Sequence, residues 1–195
     1  DFLANFSRNN QIVNELDGQL KEYAVQSGWS GLQIKAPEGG SFGLFGTKWK
    51  RTENGDFIIN KNTGLRELEL NQFIGKVNPD FMLGLSNNFS YKGFRLGTLI
   101  DIRQGGVFYS GTVASLRGSG MAYETMEGRN GTFIDKGVNV DAAGNETPNV
   151  TPVQSMQDFW SRYAATANTE GNVFDASFVK FRELTFSYAF PEKFR

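Results

Sequence analysis

The sequence predicts an all-β chain of antiparallel, up-and-down strands, and three observations carry that prediction. Gly (23) and Phe (18) are abundant in the 195 residues while Pro numbers only 5, a balance that suits hairpins and long loops better than helices. Residues 80–104 alternate apolar and polar at period two on both sides of Lys92-Gly93. The remaining clear strand, within 174–190, repeats that alternation with Leu184, Phe186 and Tyr188 against Glu183, Thr185 and Ser187.

The hairpin organises the chain. Its first arm sets Phe81, Leu83, Leu85, Asn87, Phe89 and Tyr91 against Met82, Gly84, Ser86, Asn88 and Ser90. Its second arm sets Phe94, Leu96, Thr98, Ile100 and Ile102 against Arg95, Gly97, Leu99, Asp101 and Arg103. A two-residue loop at Lys92-Gly93 fixes the register, placing Tyr91 opposite Phe94, Leu85 opposite Ile100 and Leu83 opposite Ile102. Lys-Gly is a weaker turn signal than Asn-Gly, but every one of those pairs falls on the apolar face, so pattern and turn agree. The apolar face therefore comprises Leu83, Leu85, Phe89, Tyr91, Phe94, Leu96, Ile100 and Ile102, with Arg95, Asp101 and Arg103 on the other.

Two architectures bury such a face. A soluble sandwich packs it on a second sheet; an outer-membrane barrel turns it to lipid and wets the other side. Each arm holds about ten residues, roughly what a tilted strand needs to cross a bilayer. The aromatics Phe89, Tyr91 and Phe94 gather at the turn end, where an interfacial girdle belongs.

Taken in order, residues 1–9 alternate Phe2, Ala4 and Phe6 with Leu3, Asn5 and Ser7 and read as a strand. Residues 10–79 read as a long connection. Within it, Leu16, Leu20 and Tyr23 have helical spacing over 10–30. Residues 28–46 are Gly-rich, with a short apolar run at 42–45, and 47–51 and 56–59 flank Glu53-Asn54-Gly55 as a hairpin. Asn78-Pro79-Asp80 punctuates the entry to the main hairpin. A second long connection covers 105–173, with a short helix expected over 155–166. In the final strand Val179 and Phe181 lie on the opposite parity to Leu184, Phe186 and Tyr188, so a bulge is expected near Arg182-Glu183. Pro191 closes that strand. Long connections alternating with a two-residue turn are the asymmetry of an outer-membrane barrel, and this favours the barrel over the sandwich.

Composition excludes several functions. With 20 Lys+Arg against 21 Asp+Glu there is no electrostatic case for nucleic acid. With no His or Cys, the usual zinc, haem and iron–sulfur ligand sets are missing, as are Ser-His and Cys-His nucleophile pairs. No catalytic, cofactor or metal residue is assigned, and the chain is expected not to be an enzyme. Asp141 to Glu146 lacks the full calcium-loop pattern, and the Asp135/Asp141 pair carries no glycosidase motif. No apolar run reaches the roughly 20 residues of a helical span, which a barrel does not need. There is no signal-peptide pattern, and the chain opens and closes mid-pattern, so it is expected to be a segment of a longer polypeptide.

Three motifs in order make the chain recognisable. Ile74-Gly75-Lys76-Val77-Asn78-Pro79-Asp80-Phe81 followed by Phe89-Ser90-Tyr91-Lys92-Gly93-Phe94 resembles a stretch of SusC/RagA-type TonB-dependent transporters. Gln104-Gly105-Gly106-Val107-Phe108-Tyr109 is similar to that family's glycine-bearing segment. Asp175 to Thr185, continuing through Tyr188 to Pro191, resembles its late strand signature. The resemblance covers about half the chain directly. It implies part of a large transmembrane β-barrel in the bacterial outer membrane, with the plug domain outside this segment. It also implies energisation through TonB, a SusD-like lipoprotein partner, and oligosaccharide or peptide cargo. On that reading Leu83, Leu85, Phe89, Tyr91, Phe94, Leu96, Ile100, Ile102, Leu184, Phe186 and Tyr188 face lipid. Arg95, Asp101 and Arg103 face the lumen. Tyr109, Tyr123, Trp160 and Tyr163 are candidates for cargo or partner contact, although flat rings in long connections more often pack their own loops. The alternative reading is a soluble β-sandwich binding carbohydrate or acting as an adhesin.

Overall fold

The computed structural model describes residues 1–27, 31–164, 170–190 and 193. Its wall is a four-stranded antiparallel sheet of β1 (Phe2–Ser7), β6 (Phe81–Tyr91), β7 (Phe94–Gln104) and β12 (Phe178–Tyr188), in the order β1-β6-β7-β12. The register within the hairpin runs from Tyr91 opposite Phe94 to Phe81 opposite Gln104. Lys92 and Gly93 both adopt positive φ, 45° and 86°, as a two-residue turn matched to strand twist requires. Gly93 is further confined by the end of β12 and the residue after it, since a Cβ there would lie 3.2 Å from the Tyr188 ring and 3.0 Å from the Ala189 carbonyl.

On β12, pairing slips between Phe181 and Glu183, so Arg182 forms a bulge. The extra residue brings Val179 and Phe181 onto the face that carries Leu184, Phe186 and Tyr188. Phase change in the sequence and continuous face in the fold are thus reconciled by one inserted residue. On the opposite edge, Ala4 pairs with Leu85 and Phe6 with Leu83, extending the same apolar face onto β1.

Both long connections leave the end of the sheet opposite the Lys92-Gly93 turn, and neither is a simple loop. Residues 10–79 contain a second antiparallel sheet: β2 (Glu22–Ser27), β3 (Gln33–Pro37), β4 (Gly43–Trp49) and β5 (Leu68–Lys76). The helical spacing over 10–30 does not yield a helix in the described residues; Tyr23 and Ala24 pair with Ala36 and Lys35 instead, because a neighbouring strand satisfies the backbone. The flank 47–51 pairs mainly with β5; it meets 56–59 in a short hairpin, through the Arg51–Phe57 bridge and the Thr52–Asp56 and Ile58–Lys50 backbone bonds, while Ile58 and Ile59 also bridge Val138 and Arg66.

The second connection carries β8 (Val107–Tyr109), helix α1 (Gly111–Gly118), the β9 (Val138–Val140) and β10 (Glu146–Pro148) pair, helix α2 (Met156–Ser161) and β11 (Val173–Asp175). The helix expected over 155–166 is the shorter α2, capped by Ser155, whose hydroxyl accepts from the Asp158 amide at 3.1 Å. Thr166 and the closing Pro191 lie outside the described residues. The strand expected over 174–190 is broken between β11 and β12 at Ala176-Ser177, opposite Gly105-Gly106. Gly105 sits at φ 78°, and a Cβ there would lie 2.4 Å from an Asp80 carboxylate oxygen, so the joint admits only glycine.

The two connections are tied together by hydrogen bonds such as those of Arg66 with Asp135 and form a cap at this end of the wall, and the buried core sits in it. Leu44, Trp49, Ile59, Leu65, Ala114 and Phe159 are buried there, whereas no residue of the wall sheet is fully buried.

Candidate functional site

The wall carries two chemically opposed faces. On one, Leu184, Phe186, Phe181 and Phe89 are 64%, 67%, 59% and 62% exposed, and the β2–β5 sheet does not cover them. Aromatic pairs mark both ends of this face: Phe6 stacks on Phe81 at 5.7 Å near the cap, and Phe94 meets Tyr188 at 4.4 Å near the turn. Every residue assigned above to the apolar side of β6, β7 and β12 shares this face by register.

The other face gathers Arg95, Asp101 and Arg103 with Lys180, Glu183 and Ser187 opposite or beside them. Arg182 turns from its bulge onto this side and donates from both Nε and Nη2 to one Asp101 carboxylate oxygen, at 3.2 and 2.9 Å. The bulge therefore does two things: it corrects the apolar phase and delivers a cation to Asp101. Arg103 reaches the Val77 carbonyl at 3.4 Å, and its Nε is buried without a partner. Arg95 pairs across the ladder with Ser90 and Ser187.

The four aromatics singled out in the connections do not form one site. Trp160 and Tyr163 come together, ring centres 5.1 Å apart, inside a cluster with Phe159 and Trp49. Tyr109 lines a different cleft, of about 310 Å³, with Leu32, Leu44 and Val107, and its hydroxyl is buried without a partner. Tyr123 is 86% exposed on a short 3-10 turn beyond α1. Burial pushes the Tyr109 and Tyr163 phenols up from their ordinary values, so both are neutral hydroxyls at physiological pH.

What joins the aromatic cluster is a group that sequence reasoning missed. Arg66 donates to both carboxylate oxygens of Asp135, at 2.6 and 2.8 Å, and to the Tyr163 hydroxyl at 3.2 Å. Its guanidinium also lies 3.9 Å from the Phe57 ring centre and 5.4 Å from that of Trp49. This planar cation, fixed by a bidentate carboxylate and sandwiched by rings, links the first connection to the second. Arg51 repeats the pattern with Glu170 at 2.7 Å, and Glu170 also accepts from the Trp49 amide at 2.7 Å. No sequence signal pairs positions 66 and 135; only the fold makes them neighbours.

Asp135 is thus committed to Arg66. Asp141 closes its own turn, accepting from the Asn145 side chain and from the Asn145 and Ala143 amides, bonds that hold its carboxyl below the usual range. The two carboxylates have separate structural roles. Among the described residues no group of three or more acidic, His or Cys side chains is arranged to hold a metal.

No family model matches the chain. Over 123 residues, 63% of its length, it is 30% identical to "TonB-dependent receptor P3" of Formosa agariphila, and the matched stretch is 10% of that protein. The chain spans about a tenth of that relative, and it is to a part of a TonB-dependent receptor that the mostly β, antiparallel chain is similar.

Proposed function

We propose that this chain is a piece of the barrel wall and outer cap of a SusC/RagA-type, TonB-dependent transporter in the bacterial outer membrane. It performs no reaction of its own. In the whole protein it contributes to uptake of oligosaccharides or peptides together with a SusD-like lipoprotein, driven through TonB.

The observation that carries this reading is the one-sided wall. Its apolar face is uncovered, its opposite face is ionic, and its two ends are marked by aromatic pairs. The span fits as well. From Phe81 to Tyr91 is ten steps (91 − 81), about 34 Å along a strand at roughly 3.4 Å per residue. Tilted by about 45°, such a strand rises roughly 25 Å, the height of the apolar band of an outer-membrane barrel. In that setting Leu83, Leu85, Ile100, Ile102, Leu184 and Phe186 contact lipid, and Phe89, Tyr91, Phe94 and Tyr188 form the girdle on the short-turn side. Arg95, Asp101 and Arg103 line the wet interior. The similarity to a TonB-dependent receptor points the same way. A soluble sandwich is disfavoured because the second sheet of this chain lies in the cap rather than over the apolar face.

The test is electrophoretic migration of the full-length protein from detergent, with and without boiling. A compact, fast-migrating unboiled species is expected. Identical migration, combined with solubility in buffer alone, would sink the barrel reading.

A further inference from the structure

Three polar side chains from three strands of the cap sheet converge on one point. Lys35, on β3, is 6% exposed. Its amine donates to a Glu22 carboxylate oxygen on β2 at 2.5 Å and to the side-chain carbonyl of Asn71 on β5. The Asn71 amide nitrogen donates to the same Glu22 oxygen at 3.4 Å, which closes the triangle. The amide carbon lies about 1.23 Å beyond the oxygen that the amine already touches, so nucleophile and electrophile stand near attack distance.

The fold departs from regular geometry to hold this arrangement. Pairing between β4 and β5 slips between Gly46 and Lys48, so Leu70 and Asn71 stand opposite the single position 47. Asn71 itself is left-handed at φ 57°, a conformation that a non-glycine residue keeps only where its surroundings impose it. Beside it the amine is shielded by rings. Lys35 Nζ lies 5.4 Å from the centre of the Phe45 ring, which meets Phe73 edge-on at 5.5 Å. Gly43 makes room for that packing, because a Cβ there would collide with the Phe73 ring. Lys50 and Lys76 also pair with carboxylates, but their side chains are far more exposed.

We infer that this triangle is the site of a self-formed amide cross-link between Lys35 and Asn71, with Glu22 as the proton carrier. The step balances without an added reagent. One proton of the Lys35 ammonium passes to Glu22, and the freed amine attacks Asn71 Cγ. The Nζ–Cγ bond forms and the Cγ–Nδ2 bond breaks. Glu22 gives its proton to the departing nitrogen and accepts the second proton of Nζ, which it then passes to the released ammonia. The products are an amide, ammonium and the original carboxylate. The event happens once per chain and is not a turnover. It ties β3 to β5 over β4, joining positions 36 apart, and so removes loop freedom from the unfolded chain. It concerns the cap alone and does not require the wall to span a membrane; boiling-dependent migration tests that separately.

The experiment is peptide mass mapping of the full-length protein, digested after denaturation. The peptide containing Lys35 should appear joined to the peptide containing Asn71, their combined mass short by one ammonia. Glu22→Gln removes the proton carrier and should lower the linked fraction about tenfold or more. Should Glu22→Gln fail to fold, Asn71→Asp keeps the shape of the site and should close to the same amide by losing water, giving a linked peptide identical in mass to that of the natural chain. Separate, linear peptides from the folded natural chain, or from Asn71→Asp, would overturn the cross-link and leave Lys35 as a hydrogen-bonded cation. Undiminished linkage in Glu22→Gln would overturn the role given to Glu22.

Discussion

The wall and the cap solve the problem of burial in opposite ways. The wall carries its large side chains outward on one face, where Phe186 is 67% exposed, and is held by backbone ladders between neighbouring strands. The cap buries Phe159 and Ile59 to 5% and 2% exposure and crosses its two connections with ion pairs between residues 69 and 119 positions apart. An apolar face left bare is stabilised by apolar surroundings, whereas the cap draws stability from a packed core crossed by ion pairs. On the proposed reading the bare face of the wall meets lipid, while the cap keeps a buried core of its own; the two regions meet at Asn78-Pro79 and Gly105-Gly106.

The largest effect should come from the cap. Asp135 is 4% exposed and is the bidentate partner of Arg66. Asp135→Ala leaves a largely buried guanidinium uncompensated and should cost about 3–5 kcal/mol. Because Arg66 joins both connections, hydrogen exchange should rise around residues 57–66 and around 159–163 together. Faster exchange confined to one connection would mean that the two are not one unit.

Next in size is the wall. Leu85 lies between Ala4 and Ile100 on the apolar face, while its neighbour Ser86 points to the ionic side. Leu85→Arg should impair insertion by about 2–4 kcal/mol if it sits near the midplane, and Ser86→Arg should be tolerated. Equal amounts of folded, membrane-inserted protein for both variants would reverse or erase the assignment of faces.

The same division decides what could be read from sequence. In the wall, period-two alternation and a two-residue turn encode the same register, so the order from Phe81 to Gln104 was visible locally. Even the bulge at Arg182 announced itself as a change of parity. In the cap, the information is long-range. Lys35 is buried because Glu22 accepts from it at 2.5 Å and Asn71, in a left-handed conformation at φ 57°, also reaches it. Nothing near Lys35 in sequence says so, and 10–79 therefore reads as a loop. Helix α1 was legible in principle: Ser110 precedes it as an N-cap, accepting from the Val113 amide at 3.3 Å. Glycines at both of its ends hid the signal. For the aromatics, flatness and position in a connection could not separate Trp160 and Tyr163, which pack on each other, from Tyr123, which is 86% exposed and meets no aromatic ring among the described residues.

A smaller effect sharpens the cap. Ser110→Ala removes the side-chain acceptor at the start of α1 and should cost about 1 kcal/mol. Thermal unfolding of the cap should shift accordingly while the boiling requirement of the wall stays as it is. A change in the migration of the unboiled species would mean that cap and wall unfold together.

The smallest effect belongs to the Arg182–Asp101 ion pair on the polar face of the wall. Arg182 and Asp101 are 48% and 36% exposed, so water screens them, and Asp101→Asn should change stability by less than about 1 kcal/mol. The asparagine keeps an acceptor for Arg182, and the bulge itself is fixed by backbone register rather than by the pair. Deleting Arg182 outright is a different matter. Without the extra residue, Val179 and Phe181 rotate to the ionic face or the strand slips against β7, and either outcome breaks the apolar surface. Denaturant unfolding in detergent should therefore separate a near-silent Asp101→Asn from a strongly destabilised Arg182 deletion. If Asp101→Asn proved as damaging as the deletion, the bulge would be held by charge, and the wall would depend on its ionic face as the cap depends on Arg66.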